Sequence, residues 1–224
     1  MTPGGPLLVL DTATTHAVIA LGTADGTPLD ARSWVAGYRH GEELLGRIEA
    51  LLADHGVAPA ALGGLVVGTG PGAFTGLRVG LATAKGLAHA LALPIAGIVT
   101  GEALIAAAGG GAAVLLQPAG PSDRVLTRAG EHPVILPGGT DPDLRPGERL
   151  VAVDLADRAD AGATALGEAA RVGLAAALLA AGAARLAAGD ADDLATLVPE
   201  YVTLPRGVRD APSDGGVELT GGTA

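Results

Sequence analysis

The sequence predicts an α/β fold with a mixed sheet. Short apolar runs that end at turn residues indicate buried strands, and amphipathic helical patterns alternate with the later runs. An Asp25-Gly26 pair marks a hairpin between two of the early runs. The order of strand, strand, strand, helix, strand, helix, strand, helix is typical of a sheet in which antiparallel hairpin strands flank parallel crossovers.

Small residues dominate the chain. Of its 224 residues, 47 are Ala and 36 are Gly, whereas one Trp, two Tyr and one Phe make up the whole aromatic content. A core is therefore expected to consist of Leu, Val, Ile and Ala, with backbones that approach one another closely over small side chains. The length suits one medium domain or two small ones.

The chain is acidic, with a formal net charge of −10 at pH 7 and Lys85 as its single lysine. A protein that binds nucleic acid by itself normally carries a basic face, so direct binding of RNA or DNA is disfavoured. The absence of cysteine excludes disulfides, thiolate metal sites and a cysteine nucleophile, and it is compatible with a cytoplasmic location.

No membrane or export signal is expected. The longest charge-free stretch of helical character, 172–184, has 13 residues, fewer than the roughly 20 needed to span a bilayer. Residues 1–6 lack the basic start of a signal peptide.

The first half of the chain has clear patterns. An amphipathic helix that ends at Gly56 is predicted from the helical spacing of Leu44, Leu45, Ile48, Leu51 and Leu52. The other predicted elements are strands at 7–10, 17–21, 29–35, 65–67 and 94–99, and helices at 75–91 and from 100 to a Gly-Gly-Gly break at 109–111.

In the second half, Gly, Pro and charged residues interrupt the pattern. Short strands are predicted at 113–116, 124–127, 133–136 and 150–153. Thr164 is a candidate N-cap for a long Ala-rich helix that extends to about Ala188. From Gly207 onward the chain has little apolar content and no periodicity, so residues 207–224 are expected to form a disordered tail.

A Gly-rich turn joins a predicted strand to a predicted helix at residues 68–78, and three interpretations compete there. Gly68, Gly70 and Ala73 formally match the dinucleotide fingerprint, but the next acid, Glu102, lies too far along the chain to bind a ribose. A Walker loop is excluded because the single lysine lies elsewhere. The third interpretation is a structural turn with Gly at positive φ and Thr75 as the helix cap.

The helix predicted at 75–91 lacks a broad polar face. Leu77, Leu81 and Ala84 lie on one side, whereas Gly76 and Gly80 belong to a second side of mostly small residues. A helix of this kind is expected to be covered on both sides. Burial within the same chain and contact with a partner's helix are both open at this stage.

Few residues could carry out chemistry. None of the five histidines has a second histidine four residues away, so a helical His-x-x-x-His metal site is absent. Asp11 follows the first predicted strand and Thr12 comes next, a pair that could hold Mg²⁺ and phosphate. An acidic residue at the end of a strand, however, more often has a structural role as a cap or as part of a turn.

Several segments together resemble the TsaB (YeaZ) family over residues 7 to about 105. The most specific is Gly-Pro-Gly-Ala-Phe-Thr-Gly-Leu-Arg-Val-Gly at 70–80. The others are Leu-Val-Leu-Asp-Thr-Ala-Thr at 8–14, His40 at the start of the first predicted helix, Ala-Lys-Gly-Leu-Ala at 84–88 and Leu93-Pro94.

The resemblance implies an actin-like ATPase (ASKHA) fold. A ribonuclease-H-like N-terminal lobe would occupy residues 1–108, and a smaller, degenerate α/β lobe would occupy residues 109–206. The implied function is a part in forming threonylcarbamoyladenosine (t6A) at position 37 of transfer RNAs that read codons starting with A.

The resemblance also implies partners. The protein would be the noncatalytic partner of the TsaD-type metal-dependent transferase, a TsaE-type ATPase would join them, and a TsaC-type enzyme would supply threonylcarbamoyl-AMP. Transfer RNA would be reached only through this complex. A homodimer is an option for the isolated chain.

The expected site residues follow from the same resemblance. No catalytic residue, metal or cofactor is expected, apart from ATP or ADP at the heterodimer interface and a nucleotide contact at Asp11 and Thr12. The family motif loop comprises Gly70, Pro71, Gly72, Phe74, Thr75, Gly76, Leu77 and Arg78. The partner interface is expected to comprise Leu44, Leu45, Ile48, Leu52, Gly76, Gly80, Thr83 and Leu87.

The C-terminal half departs from the family pattern. Residues 117–124 replace an Asp-Ala-Arg segment, and the closing Pro-x-Tyr-x-Arg is kept only as Pro199-Glu-Tyr201, with Thr203 in place of the Arg and Arg206 further on. A scaffold subunit is the first functional hypothesis. The alternative is a stand-alone actin-like ATPase or phosphotransferase that uses Asp11 and the Gly-rich turn.

Overall fold

The computed structural model describes residues 4–36 and 40–202. Within these residues the chain forms four α-helices and nine strands, arranged in two sheets. The strands are β1 (Leu7–Asp11), β2 (His16–Gly22), β3 (Pro28–Val35), β4 (Gly64–Gly70), β5 (Ile95–Val99), β6 (Ala113–Pro118), β7 (Arg124–Thr127), β8 (Val134–Leu136) and β9 (Arg149–Ala152). The helices are α1 (His40–Asp54), α2 (Phe74–Leu91), α3 (Thr100–Ala107) and α4 (Ala161–Ala187).

β1 lies at the centre of the first sheet, whose strand order is β3-β2-β1-β4-β5. It pairs antiparallel with β2 and parallel with β4, and β4 pairs parallel with β5. Every residue of β1 and β4 is buried, as expected for central strands that are covered on both faces. The predicted mixed five-stranded sheet is confirmed, including the β2–β3 hairpin.

Helices cover both faces of the first sheet. On one face Leu8, Leu10 and Ile19 belong to a core cluster with the apolar stripes of α1 and α2. On the other face Val9 and Val66 belong to a second cluster with α3 and α4. The alternation of side chains along each strand places these two sets on opposite faces.

The second sheet has the order β8-β7-β6-β9, with β6 antiparallel to β7 and parallel to β9. β7 pairs antiparallel with β8. This arrangement repeats that of β3, β2, β1 and β4, so the second sheet is a reduced version of the first. The predicted α/β class with a smaller second part is therefore confirmed. The division at residue 108 stays a prediction, and the predicted tail at 207–224 lies outside the described residues.

α4 connects the two sheets, since it packs against β9 in the second sheet and against β1, β2, β4 and β5 in the first. The helix begins at Ala161, so the prediction of Thr164 as its N-cap is wrong. The Asp160 carboxylate caps the helix by accepting a hydrogen bond from the Ala163 N–H at 2.9 Å. Thr164 lies in the first turn, where its hydroxyl donates to the Asp160 carbonyl at 3.0 Å.

α4 is also the one described helix that is long and apolar enough to span a membrane by length and composition. Its 27 residues exceed the charge-free stretch within it because the helix continues through Arg171 and Arg185. Leu174, Leu178 and Leu179 of α4 are fully buried in the core that the two sheets share. This packing accounts for the apolar character of the helix.

Two glycines allow α4 to approach the sheets closely. A Cβ at Gly167 would collide with the backbone carbonyl of Ala152 at the end of β9. A Cβ at Gly182 would collide with the side chain of Val66 in β4. Glycine at these two positions therefore lets the helix lie close to the backbone of β9 and to the Val66 side chain, in the core of the chain itself.

The segment after α4 covers the edge strand β5. The Asp192 carboxylate accepts hydrogen bonds from the Gly97 N–H at 2.6 Å and from Arg185 at 3.0 Å, and Arg185 also donates to the Gly97 carbonyl at 2.7 Å. Further along, Lys85 of α2 donates to the Leu197 carbonyl at 3.1 Å. Because an open edge strand invites pairing with other chains, this segment protects the sheet.

Gly167→Ala is expected to lower the free energy of unfolding by about 1–3 kcal/mol, because the added methyl group meets a backbone carbonyl. The matched control is Gly86→Ala in α2, where a Cβ would meet nothing within 4 Å. That variant should gain about 0.5–1 kcal/mol from helix propensity. Urea unfolding followed by circular dichroism measures both variants. Equal stability of the two would contradict the close packing at Gly167.

Candidate functional site

The Gly-rich turn packs against the turn that joins β1 to β2, residues 12–15. The Ala73 N–H donates to the Ala13 carbonyl at 2.8 Å, and a Cβ at Gly72 would collide with that carbonyl. Gly70 has a φ of +106°, in the region that favours glycine. Close backbone approach therefore accounts for these glycines of the motif loop, in agreement with the structural-turn interpretation.

The small-residue side of α2 faces Thr12. The Thr12 hydroxyl donates to the Gly76 carbonyl at 2.7 Å, and a Cβ at Gly80 would collide with the hydroxyl oxygen. Leu77, from the same part of the helix, is fully buried. Burial within the same chain therefore explains Gly76 and Gly80, and a larger side chain at Gly80 would disturb the fold itself.

The start of α2 also contacts the end of the described chain. The ring centroids of Phe74 and Tyr201 lie 5.1 Å apart, the Arg78 guanidinium lies 3.8 Å from the Phe74 centroid, and Arg78 Nε donates to the Tyr201 hydroxyl at 3.0 Å. Stacking and the cation–π contact join the motif loop to the Pro199-Glu-Tyr201 segment. The helix begins at Phe74 after Ala73, so the predicted cap at Thr75 is wrong, and no side chain caps this end.

Asp11 is completely buried at the end of β1. One carboxylate oxygen accepts a hydrogen bond from the Ala13 N–H at 2.9 Å, and the other accepts from the Thr100 hydroxyl at 2.6 Å. Desolvation raises the pKa of Asp11 to about 6, the two hydrogen bonds oppose this rise, and the charge of Asp154 adds to it. A Cβ at Gly68 would collide with the carboxylate. Asp11 therefore links β1 to the start of α3 from inside the protein.

A cleft of about 380 Å³ lies between the two sheets, at the carboxyl ends of β1, β4, β6 and β9. Open α/β sheets usually bind their ligands in such a crevice. The lining residues are Ala13 and Thr15 after β1, Pro71, Gly72, Ala73 and Phe74 after β4, Gln117, Pro118, Ala119 and Gly120 at the end of β6, Val125 of β7, Asp154 after β9, and Tyr201 and Val202.

Asp154 connects the two sides of this cleft. Its carboxylate accepts hydrogen bonds from the Thr15 N–H and hydroxyl, both at 2.6 Å, and from Arg171 of α4 at 3.2 Å. Arg171 in turn lies 2.7 Å from His16 Nδ1, which can accept a hydrogen bond from it. One carboxylate thus joins the β1–β2 turn of the first sheet to the second sheet and to α4.

An actin-like fold implies a magnesium nucleotide in this cleft, but the residues present do not fit one. Asp11 and Thr12, the predicted contacts, are buried and do not line the cleft. Among the described lining residues, Asp154 carries the one charged side chain, and it is paired with Arg171, so the lining offers a phosphate no cation of its own. The cleft therefore gives no support to the hypothesis of a stand-alone ATPase or phosphotransferase.

The chain itself covers most of the predicted partner interface. Leu45 is 55% exposed, and Thr83 and Leu87 are half-buried. The other five residues are buried within the chain: Leu44, Ile48, Leu52, Gly76 and Gly80. Binding of a partner here stays a prediction. Of the predicted residues, a partner could reach only Leu45, Thr83 and Leu87 on the folded chain.

An apolar groove of about 440 Å³ opens between α1 and α2. Leu45 and Leu52 line it on the α1 side, and Leu87 and Leu91 line it on the α2 side. Glu49 contributes the one charged side chain among the described lining residues. Exposed apolar surface of this kind is typical of interaction sites.

Sequence reasoning missed Gln117 and Asp154 as residues of the cleft. Asp154 follows an apolar run at 150–153 as Asp11 follows the run at 7–10, and this parallel could have identified it. Gln117 comes directly after the apolar residues of β6, but a glutamine at a strand end carries no signal of its own.

The raised pKa of Asp11 predicts a specific pH dependence of stability. Between its ordinary value of 3.8 and the folded value of about 6, the folded state binds more protons at Asp11 than the unfolded state does. The contribution of Asp11 to the free energy of unfolding should therefore increase as the pH falls from 7.5 towards 4, by about 1.4 kcal/mol per pH unit at most.

Comparison with Asp11→Asn isolates this effect from surface carboxylates such as Asp30, whose pKa is lowered by Arg32 and which act in the opposite direction. Urea unfolding of both proteins across this pH range gives the difference in their stabilities. That difference should change in favour of the unsubstituted protein as the pH falls. A constant difference would mean that Asp11 has the same pKa in the folded and unfolded chains.

Comparison with known proteins identifies several relatives. A family model described as TsaD, tRNA N6-adenosine threonylcarbamoyltransferase, matches residues 34–136. The TsaB proteins of Escherichia coli K12 and Bacillus subtilis 168, named for tRNA threonylcarbamoyladenosine biosynthesis, are 35% and 33% identical over 94 and 100 residues. An uncharacterized protein of Mycobacterium leprae is 41% identical over 101 residues. These matches cover 42%, 45% and 44% of this chain, respectively.

The chain spans less than half the length of each of these relatives, namely 40%, 43% and 28%. The structure of YeaZ from Pseudomonas aeruginosa aligns more widely, with a TM-score of 0.67, 22% identity, and coverage of 88% of this chain and 100% of that one. This likeness and the TsaD match confirm the predicted actin-like fold. The TsaB relatives and the TsaD match support the resemblance to the TsaB (YeaZ) family over the first half of the chain.

Proposed function

We propose that this protein acts in t6A formation as a noncatalytic subunit that binds and activates a TsaD-type transferase. The names of its TsaB relatives support the process, and the family motif at residues 70–80 supports the subunit. The single observation that carries the binding role is the exposed apolar groove between α1 and α2. In this proposal the protein is cytoplasmic, and transfer RNA binds through other subunits, in keeping with the net charge of −10.

The cleft supports the noncatalytic part of the proposal. A transferase or kinase needs groups that hold a charged substrate, whereas the lining side chains described above are mostly apolar. Asp11 is the one acidic residue that the sequence suggested as a metal ligand, and it is buried away from the cleft. Within the described residues, no cluster of His, Cys, Asp and Glu could hold a metal ion.

The groove supports the choice of partner surface. Leu45 projects from α1 and is more than half exposed, and the half-buried Leu87 and Leu91 line the opposite wall. Burial of Leu45 by a helix of the partner would remove apolar surface from water, which favours association. In the proposed complex a TsaE-type ATPase also joins, and a second copy of this chain would occupy the groove when the transferase is absent. Binding of ATP or ADP at the heterodimer interface remains part of this proposal.

Leu45→Glu is expected to weaken binding of the TsaD-type subunit by about tenfold or more, because an unpaired carboxylate would be buried at the contact. The matched control is Val172→Glu, at a residue of α4 that is 87% exposed on the other side of the first sheet. Both variants should unfold at the same temperature as the unsubstituted protein, because neither side chain lies in the core. Calorimetric titration with the transferase subunit measures the affinities. Unchanged affinity of Leu45→Glu would rule out the groove as the contact.

The cellular role has a separate test. Depletion of this protein is expected to lower the t6A content of transfer RNA, as measured by mass spectrometry of its nucleosides. Expression of the unsubstituted chain should restore the content, whereas Leu45→Glu should restore it less well than Val172→Glu does. An unchanged t6A content after depletion would contradict the proposed function as a whole.

A further inference from the structure

Strand β3 forms an open edge of the first sheet. With eight residues it is the longest of the nine strands described above, and it pairs with β2 on one side. Within residues 4–36 and 40–202, no strand pairs with its other side. An edge of this length presents a row of backbone donors and acceptors that can pair with another chain.

The other edge strands are covered or short. The Asp192 N–H donates to the Ile95 carbonyl at 2.8 Å, so the segment after α4 closes the outer side of β5. β8 has three residues and lies between Pro133 and Pro137, and β9 has four residues. β3 is therefore the edge strand best suited to bind a further strand.

The pairing with β2 decides which backbone groups of β3 face outward. The Ala36 N–H donates to the Thr15 carbonyl at 3.2 Å. Hydrogen-bonded pairs alternate along an antiparallel ladder, so the even-numbered residues of 30–36 direct their backbone groups to β2. The odd-numbered residues direct their N–H and C=O groups to the open side, where no described residue bonds to them: Ala31, Ser33 and Val35.

The two charged side chains of β3 each keep one bonding atom unused. Arg32 Nε and Nη2 donate to Asp30 Oδ2 at 3.2 and 2.9 Å, on the face of the strand that α1 covers. Arg32 Nη2 also donates to Asp54 of α1, and His55 lies 3.2 Å from Asp30 Oδ2. In the part of the chain that the structure describes, Arg32 Nη1 and Asp30 Oδ1 have no partner.

We propose that β3 pairs antiparallel with β3 of a second copy of this chain, with Ala31 of both copies on a two-fold axis. In this register, Asp30 of each copy lies directly opposite Arg32 of the other copy. Such a pair has no backbone hydrogen bond between its members, and the side chains of such pairs lie closest together. The unused Arg32 Nη1 then donates to the unused Asp30 Oδ1 across the axis, once in each direction.

Charge complementarity favours both this register and a copy of the same chain. An axis at Arg32 would place two guanidinium groups opposite each other, which is destabilising. An axis at Ser33 would place Asp30 opposite Ala36, without a charged partner. The strand is thus complementary to itself in the register centred on Ala31.

The contact joins the first sheets of two copies into one sheet of ten strands. On the face of β3 opposite α1, Leu29 and Val35 are 50% and 69% exposed, and the added strand covers part of their apolar surface. No residue of β3 is among those described as lining the groove between α1 and α2. The groove of each copy therefore stays open, and the inference is independent of the proposed transferase contact.

Sedimentation equilibrium of the full chain tests the contact. Leu45→Glu serves as the parent protein, because it removes self-association through the groove. The parent is expected to dimerise in the micromolar range. Adding Ala31→Pro should weaken the dimer by about tenfold or more, since proline removes an outward N–H at the axis but no bond to β2. The matched control Ala31→Ser keeps this N–H and should dimerise as the parent does. A monomeric parent, or equal dimerisation of both variants, would overturn the proposal.

A charge exchange in the same parent tests the register. Arg32→Glu places a carboxylate opposite Asp30 of the other copy, and Asp30→Arg places a guanidinium group opposite Arg32, so each variant alone should dimerise about tenfold more weakly or worse. A mixture of the two variants has opposite charges at both positions and should form heterodimers, which native mass spectrometry identifies by mass. Full dimerisation of either variant alone, or a mixture without heterodimers, would contradict the register. If a charge variant does not fold, the comparison of Ala31→Pro with Ala31→Ser decides the proposal.

Discussion

The close approach between the β1–β2 turn and the Gly-rich turn is the constraint on which the rest of the structure depends. The carbonyl of Ala13, the hydroxyl of Thr12 and the carboxylate of Asp11 each occupy space that a Cβ on the facing glycine would need. This contact brings α2 against the end of β1. It thereby sets the position of the motif loop, one wall of the cleft and one wall of the apolar groove.

Close approach at glycine residues also joins the two sheets. Gly167 lets α4 contact the backbone of β9, Gly182 lets it contact the Val66 side chain of β4, and Asp154 bonds the second sheet to the β1–β2 turn. A chain with four aromatic residues has few large side chains to fill a core, so it gains packing density by moving backbones together. The reduced second sheet is held to the first mainly by this helix.

The structure separates two surfaces that could each serve a function. The groove between α1 and α2 is apolar and faces away from the second sheet, whereas the cleft lies between the sheets and contains the buried Gln117. A partner subunit at the groove would leave the cleft open.

The sequence by itself determined the fold class, most element positions and the resemblance to a known family, because these depend on local periodicity, turn residues and a specific motif. It could not decide what covers the small side of α2, because a helix wheel shows that Gly76 and Gly80 are small but not that Thr12 lies against them. It also could not show that Leu44, Ile48 and Leu52 are used in the core while Leu45 stays exposed. Burial is a property of contacts between segments far apart in the chain. For that reason only the tertiary structure placed Asp11 inside the protein and Gln117 and Asp154 in the cleft.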